Sequence, residues 1–264
     1  MAGEIRQRGF TLVEMAIVLV IIGLVLMAVF PALTAARQAS QRATTQSNLH
    51  TLMLATAAYV QANGCVPCPA TPGGMGTSFG LAAACGSCGN AIGIPPFASF
   101  GLPNAVAHDG WGHWITMRVD PFLTVKFTPT LPTGTTGLCQ AGLSTTRRIN
   151  VSVPNGANQK EAVLFISHGS SGYGSYFAQA GASSNNAYPL PFSGNYAACS
   201  ASVGYAQCNS ASSKYIVSTY NYATQYYDSP AYTGAGDSYD DLLTYADRNT
   251  LVALFGTFAC QTVW

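Results

Sequence analysis

The chain has 264 residues, 11 basic against 10 acidic side chains, and only 8% charged residues. A near-neutral balance offers no electrostatic footprint for nucleic acid, which requires a basic face. The one adjacent basic pair, Arg147-Arg148, is explained by a solvated turn.

Met1–Gly9 is a short leader carrying Arg6 and Arg8. An uninterrupted apolar run begins at Phe10 and contains a single charge, Glu14. About 20 such residues span a bilayer, so residues 10 to about 33 predict a transmembrane helix. A secretory signal peptide is cleaved at small residues after its apolar run. Here the small residue, Gly9, precedes the run. A plain anchor explains neither the Gly9-Phe10 junction nor Glu14, because a carboxylate is expensive in lipid and calls for a function.

The segment Gly9–Leu26 resembles the class III signal of type IV pilins and type II secretion pseudopilins. That resemblance implies cleavage between Gly9 and Phe10 by a prepilin peptidase, N-methylation of Phe10, and assembly into a filament. In such a filament the Glu14 carboxylate neutralises the Phe10 amine of a neighbouring subunit, two charges that are costly apart and offset one another together. Similar pilins carry a glycine and a proline where Gly23 and Pro31 stand, and a proline kinks a helix by removing a backbone hydrogen bond. Arg6 and Arg8 keep the leader cytoplasmic. The expected placement is a single pass through the inner membrane with a periplasmic head, and then a filament or the cell surface after assembly. Loss of the leader leaves nine basic and nine acidic residues.

After Pro31 no Gly or Pro occurs until Gly64. Leu49, Leu52, Met53, Thr56, Tyr59 and Val60 fall on one helical face, and Asn63-Gly64 is a C-terminal stop. One helix is therefore predicted over 10–62, its second half laid on a head formed by residues 63–264. His50 among these residues reads as solvated. The head is rich in Gly, Ser, Thr, Asn and Tyr, and is long enough for one sizeable domain. Predicted strands are His113–Val119, Leu123–Phe127, Arg147–Val153, Glu161–Ser167, Lys214–Tyr220 and Asp241–Tyr245, with a short helix from Asp247-Arg248 to Leu254. Without helical crossovers the pairing is expected to be antiparallel. The fold class is α+β, a long helix on an antiparallel sheet, which is also what the pilin resemblance implies.

Eight cysteines form the second strong signal. Cys65-Val66-Pro67-Cys68 and Cys85-Gly86-Ser87-Cys88 are two C-x-x-C pairs at zinc-ribbon spacing. Outside the cytoplasm an even cysteine count reads first as disulfides, with the zinc site as the alternative. Redox catalysis needs a thioredoxin-like βαβ setting, which is absent. Eight cysteines allow 105 connectivities. Cys199 with Cys208 across a short loop, and then Cys139 with Cys260, is one candidate arrangement. A disulfide near the C-terminus is familiar in the pilins that the signal resembles.

Asp109-Gly110-Trp111-Gly112 resembles the segment that opens the sheet of major pseudopilins, and Ser167-His168-Gly169-Ser170-Ser171-Gly172 resembles a strand exit in such heads. His108, Asp109, His113 and His168, with Ser167 or Ser170, invite a Ser/His/Asp reading. No nucleophile elbow or spacing rule supports one, so structural histidines in Gly-rich turns are expected. Asp237, Asp240 and Asp241 follow a Gly-rich stretch and offer the oxygen ligands calcium prefers; a plain solvated loop is the alternative. Ten tyrosines between Tyr176 and Tyr232 read as strand-face residues or as an adaptable contact surface. The expected function is a non-enzymatic filament subunit. Its large head favours a minor subunit at a tip or an adaptor position, with other pilin or pseudopilin subunits, a surface ligand or a secretion substrate as partners. The competing class is an exported binding module that is tethered and never polymerises.

Overall fold

The computed structural model describes residues 12–72, 78–86, 88, 91–126, 149–152, 159–170, 172, 175–176, 225–227 and 241–254. The chain divides into two compact units, Met1–Arg42 and Ala43–Trp264. The division falls inside the first helix rather than at its end, so the last turns of that helix belong with the head.

Helix α1 spans Leu12–Asn63 and passes through Pro31 without interruption. The Thr34 hydroxyl donates to the Pro31 carbonyl at 2.9 Å. The helix stops one residue beyond the predicted end. Gly64 adopts a φ of 71°, and its N–H donates to the Val60 carbonyl at 2.8 Å. A left-handed residue closing the last turn in this way is a position that glycine occupies without strain.

In the second unit, four strands form an antiparallel sheet in the order β1 (Ile92–Gly93), β2 (Thr116–Val119), β5 (Val163–Ser167) and β7 (Leu242–Ala246). Strands β3 (Ile149–Ser152), β4 (Gln159–Glu161) and β6 (Gln225–Tyr227) form a second sheet in the order β4-β3-β6. Cross-strand partners Met117↔Phe165 and Val119↔Val163 share one face of the first sheet. They pack with Leu49, Leu52, Met53, Ala57 and Val60 of α1, as the helical spacing predicts. The opposite face carries Leu164 and Ile166, which pack against Ile149 and Val151 of the second sheet. The sheet is thus covered on both faces, by helix and by strands. This accounts for the all-apolar run Val163–Ile166, since a strand buried on both sides has no reason to alternate. Helix α2 (Arg248–Leu254) adds Leu251 to the core on the helix side.

Three expectations are corrected. The apolar run Leu123–Phe127 is not a strand where it is described: Pro121–Thr124 forms a 3₁₀ turn with Pro at its first position, and the Asp120 carboxylate accepts from the Phe122 N–H at 2.9 Å. Local capping chemistry wins over apolar composition there. Glu161–Ser167 is two strands rather than one, because the chain bends at Ala162 and passes from one sheet to the other. Strand β6 pairs with β3 in parallel, so the pairing is not wholly antiparallel. Predicted strand Lys214–Tyr220 lies outside the described residues.

Candidate functional site

Gly9 and Phe10 lie outside the described residues; Glu14 stands in the first turn of α1. Around it the side chains of Leu12, Val13, Ile17, Leu24 and Phe30 are all exposed. The helix carries a stretch long and apolar enough to cross a membrane. An apolar helix exposed on every side demands lipid or protein around it. Gly23 adds no side chain to this surface, and a Cβ there would meet nothing within 4 Å.

A second constellation lies where the helix meets the head. Asp109 is buried, and its Oδ1 accepts from the N–H groups of Trp111 (3.0 Å) and His113 (2.9 Å). Its Oδ2 accepts from the hydroxyl of Ser167, at 2.8 Å and 58 residues away in sequence. His113 Nδ1 lies 3.7 Å from the same Oδ2 and 3.1 Å from the Gly169 carbonyl, which can only accept, so Nδ1 carries a proton. His168 is fully buried, with its Nε2 at 2.9 Å from the Thr116 hydroxyl. Ser170 is exposed on the following turn. Gly172, at a φ of 63°, closes that turn over His113; a Cβ there would lie 2.6 Å from the imidazole.

The cluster has the residue types of a hydrolytic triad without its order. A nucleophilic serine gives its proton to histidine, and the carboxylate holds the far side of the ring. Here the serine donates directly to the carboxylate and is fully buried. The arrangement ties two loops and a strand together. Two residues of α1 extend it: the Thr45 hydroxyl accepts from the Gly110 N–H at 2.8 Å, and the Asn48 amide donates to the His108 carbonyl at 2.8 Å. Sequence reading missed both, because a polar residue on a helix gives no sign of a partner some 60 residues away.

Trp114, rather than Trp111, is the buried tryptophan of this segment. It stacks on Phe97 with ring centroids 6.0 Å apart and meets Phe79 edge-on. The His108 ring lies against it at 3.8 Å. Burial there pushes the His108 imidazole below its ordinary value of 6.5, against the opposing pull of the Asn104 carbonyl and Asp109. The neutral ring is therefore the form the fold prefers. Stability is full above pH 6.5 and falls as the pH drops toward the lowered folded-state value, because only the unfolded chain takes up the proton in that window. We expect His108→Gln to flatten this part of the pH dependence, read as denaturation midpoints on either side of that window. An unchanged slope in the variant would place the acid sensitivity elsewhere. His50 is exposed, as expected.

The two C-x-x-C motifs are paired crosswise. Cys65 bonds to Cys85 and Cys68 to Cys88, with Cα–Cα separations of 6.0 and 5.7 Å. Both lie inside the range a disulfide bridges without moving the backbone. The bridges fasten the chain just beyond Gly64 to the 85–88 loop. Cys139, Cys199, Cys208 and Cys260, together with Asp237 and Asp240, lie outside the described residues. Asp241 is buried immediately before β7, not solvated. Of the ten tyrosines, Tyr176 is buried in the cluster with Trp114 and Phe97, as an ordinary core residue would be.

The chain matches the family model for the prokaryotic N-terminal methylation motif over residues 5–30. The match takes in Gly9, Phe10, Glu14 and Gly23, and identifies a prepilin-type signal of the kind carried by type IV pilin-like exported proteins. No curated protein and no solved structure matches the chain.

Proposed function

We propose that the chain is a minor subunit of a type IV pilus or a type II secretion pseudopilus, released from its leader by a prepilin peptidase and held in the filament by α1. The observation that carries this reading is the methylation motif standing on a helix whose apolar side chains are exposed all round. Lipid covers that surface before assembly, and the helices of neighbouring subunits cover it afterwards. Glu14 then faces the methylated amine of Phe10 on a neighbour. The pairing fixes the axial register of the subunits, because a shift in either direction leaves both charges unpaired.

The head supports a recognition role at a tip or adaptor position. It is large, its sheet is covered on both faces, and disulfides brace it for an oxidising compartment. We propose a bracing role, not a catalytic one, for the Ser/His/Asp grouping, since Ser167 and Asp109 are buried and the serine proton is spent on the carboxylate.

The deciding experiment is intact mass and N-terminal sequencing of the protein from its native membrane, beside Gly9→Ala. We expect the wild type to begin at a methylated Phe10 and the variant to keep Met1. A retained leader in both proteins would demote Gly9, Phe10 and Glu14 to a membrane anchor. The head would then be a tethered binding module.

A further inference from the structure

We propose that Arg37 and Arg42 hold the phosphates of anionic phospholipid headgroups at the far end of the membrane span of α1. The inference rests on the lipid-covered state of α1 given above, and not on assembly into a filament.

The placement of charge along the helix carries it. The stretch from Met15 to Ala36 contains no charged residue. At 1.5 Å per residue it is about 33 Å long, against a hydrocarbon core of about 30 Å. Glu14 stands at one end of this stretch and Arg37 at the other. The span closes at about residue 33, and Arg37 lies about 6 Å beyond that point. The polar headgroup layer on each side of a bilayer is about 5–8 Å deep, so Arg37 leaves the helix at headgroup level. Arg42 follows about 7.5 Å later. The helix is continuous through both, and both are exposed.

Helix geometry aims them at the membrane. In an α-helix each Cα–Cβ bond tilts toward the N-terminus, which here is the membrane end. Both side chains therefore start out leaning back toward lipid. A long arginine stem lets the guanidinium sit in the polar layer while its methylenes stay against apolar surface. The two residues lie about 140° apart around the axis. Lipids surround a single span, so contacts to separate headgroups need no common face.

The chain itself supplies no counter-charge along the helix. No Asp or Glu occurs between Glu14 and Asp109. None of the residues three or four positions from either arginine is acidic, so neither is neutralised by a helical ion pair. The planar guanidinium offers parallel N–H donors that match a phosphate bidentately. A zwitterionic headgroup carries its own cation beside the phosphate, and an anionic one does not. The preferred partner is therefore the anionic lipid. A carboxylate of another chain is the rival acceptor, but lipid phosphate is the anion found at this depth on every side of the helix.

The full chain is reconstituted in vesicles of phosphatidylglycerol and phosphatidylcholine. Each sample holds a trace of one of these lipids with a photoreactive group beside its headgroup. Arg37→Gln, Arg42→Gln, the double variant and Arg37→Lys are compared with wild type. Adducts are mapped by mass spectrometry, so labelling beyond the span is counted apart from labelling of the leader with Arg6 and Arg8. We expect the anionic probe to label residues 33–46 about fivefold more than the zwitterionic one, the preference that one arginine near a charged surface confers. Raised salt should weaken it. The preference should fall to parity in the double variant, and further in Arg37→Gln than in Arg42→Gln. Arg37→Lys should keep part of it, because the charge stays and the bidentate fork is lost. Equal labelling by the two probes beyond the span overturns the proposal and leaves the arginines to a carboxylate of another chain. So does a preference that the double variant keeps. A chain that alkali strips from the vesicles overturns the span itself and this inference with it. Resistance to alkali with no lipid preference overturns this inference alone.

Discussion

Glu14→Leu is expected to leave the membrane level of the chain unchanged and to remove it from filaments. The substitution makes the helix a better membrane segment, because a carboxylate within a span is costly, about 2.5–3.5 kcal/mol at its centre and less near its end, where Glu14 stands. It makes the helix a worse filament segment, because the amine of a neighbouring Phe10 loses its counter-charge. Removing one partner of a buried pair costs about 3–5 kcal/mol, which at about 1.4 kcal/mol per decade is a loss of about two to three and a half orders of magnitude in subunit association. Glu14→Asp keeps the charge on a shorter stem and should retain part of the incorporation. Immunoblots of sheared filaments against whole membranes, in the native host, separate the two effects. Glu14→Leu present in filaments at wild-type abundance would rule out charge pairing as the registering contact.

The second large effect concerns Asp109. One buried carboxylate serves the N–H groups of Trp111 and His113 and the hydroxyl of Ser167. Asp109→Ala leaves all three without that acceptor, the serine hydroxyl in a buried setting and the two amides in a part-buried one. Each unsatisfied buried donor costs about 1–3 kcal/mol. The sum is on the order of 5 kcal/mol, a large part of the 5–15 kcal/mol by which ordinary domains are stable. Asp109→Asn keeps an acceptor for the two backbone amides, while the Ser167 hydroxyl must turn to accept from the new amide, so a smaller loss is expected. Chemical denaturation of the full chain in detergent, followed by tryptophan fluorescence, reads the difference through the nearby Trp111 and Trp114. Equal stability of the Ala and Asn variants would show that the carboxylate oxygens contribute little, and that the turn is held by packing around Trp114 instead.

Much of this architecture was legible in the sequence, for reasons that differ by element. The face from Leu49 to Val60 was readable because apolar residues recurring at helical spacing over more than two turns rarely arise except on a helix buried along one side. Gly64 was readable as a stop because glycine alone enters the left-handed region without strain. Strands β3 and β7 stood out as short runs bounded by turn residues. Strand β1, with two residues, is too short to carry a period. Strand β6 lies in a Tyr-rich run whose alternation says nothing about its partner, and its parallel match to β3 depends on a strand some 75 residues earlier. Glu161–Ser167 hid a change of sheet at Ala162, since a small apolar residue fits either a strand or a bend.

The methylation motif was legible because its signals are contiguous: a basic leader, a Gly-Phe junction, an apolar run and one acid. The Asp109–Ser167 bond and the cysteine register were not, because both depend on contacts that only the folded chain creates. The residues of the buried polar cluster were visible as types. Which of them touch, and in what order, decides between a triad and a brace, and order is a property of three dimensions.

The fastening of the second half of α1 bears on what happens when a filament is pulled. Thr45 and Asn48 tie the helix to the 105–110 loop, its apolar face lies on the sheet, and the bridges fix the chain just past Gly64. Tension entering the head along the helix would be shared among these attachments. Should they yield, the bridge from Cys65 to Cys85 withholds 20 residues of slack, a contour length of about 70 Å. Under such a load, the fastened part of the head would lengthen little. A subunit placed where a filament meets its load would need that property.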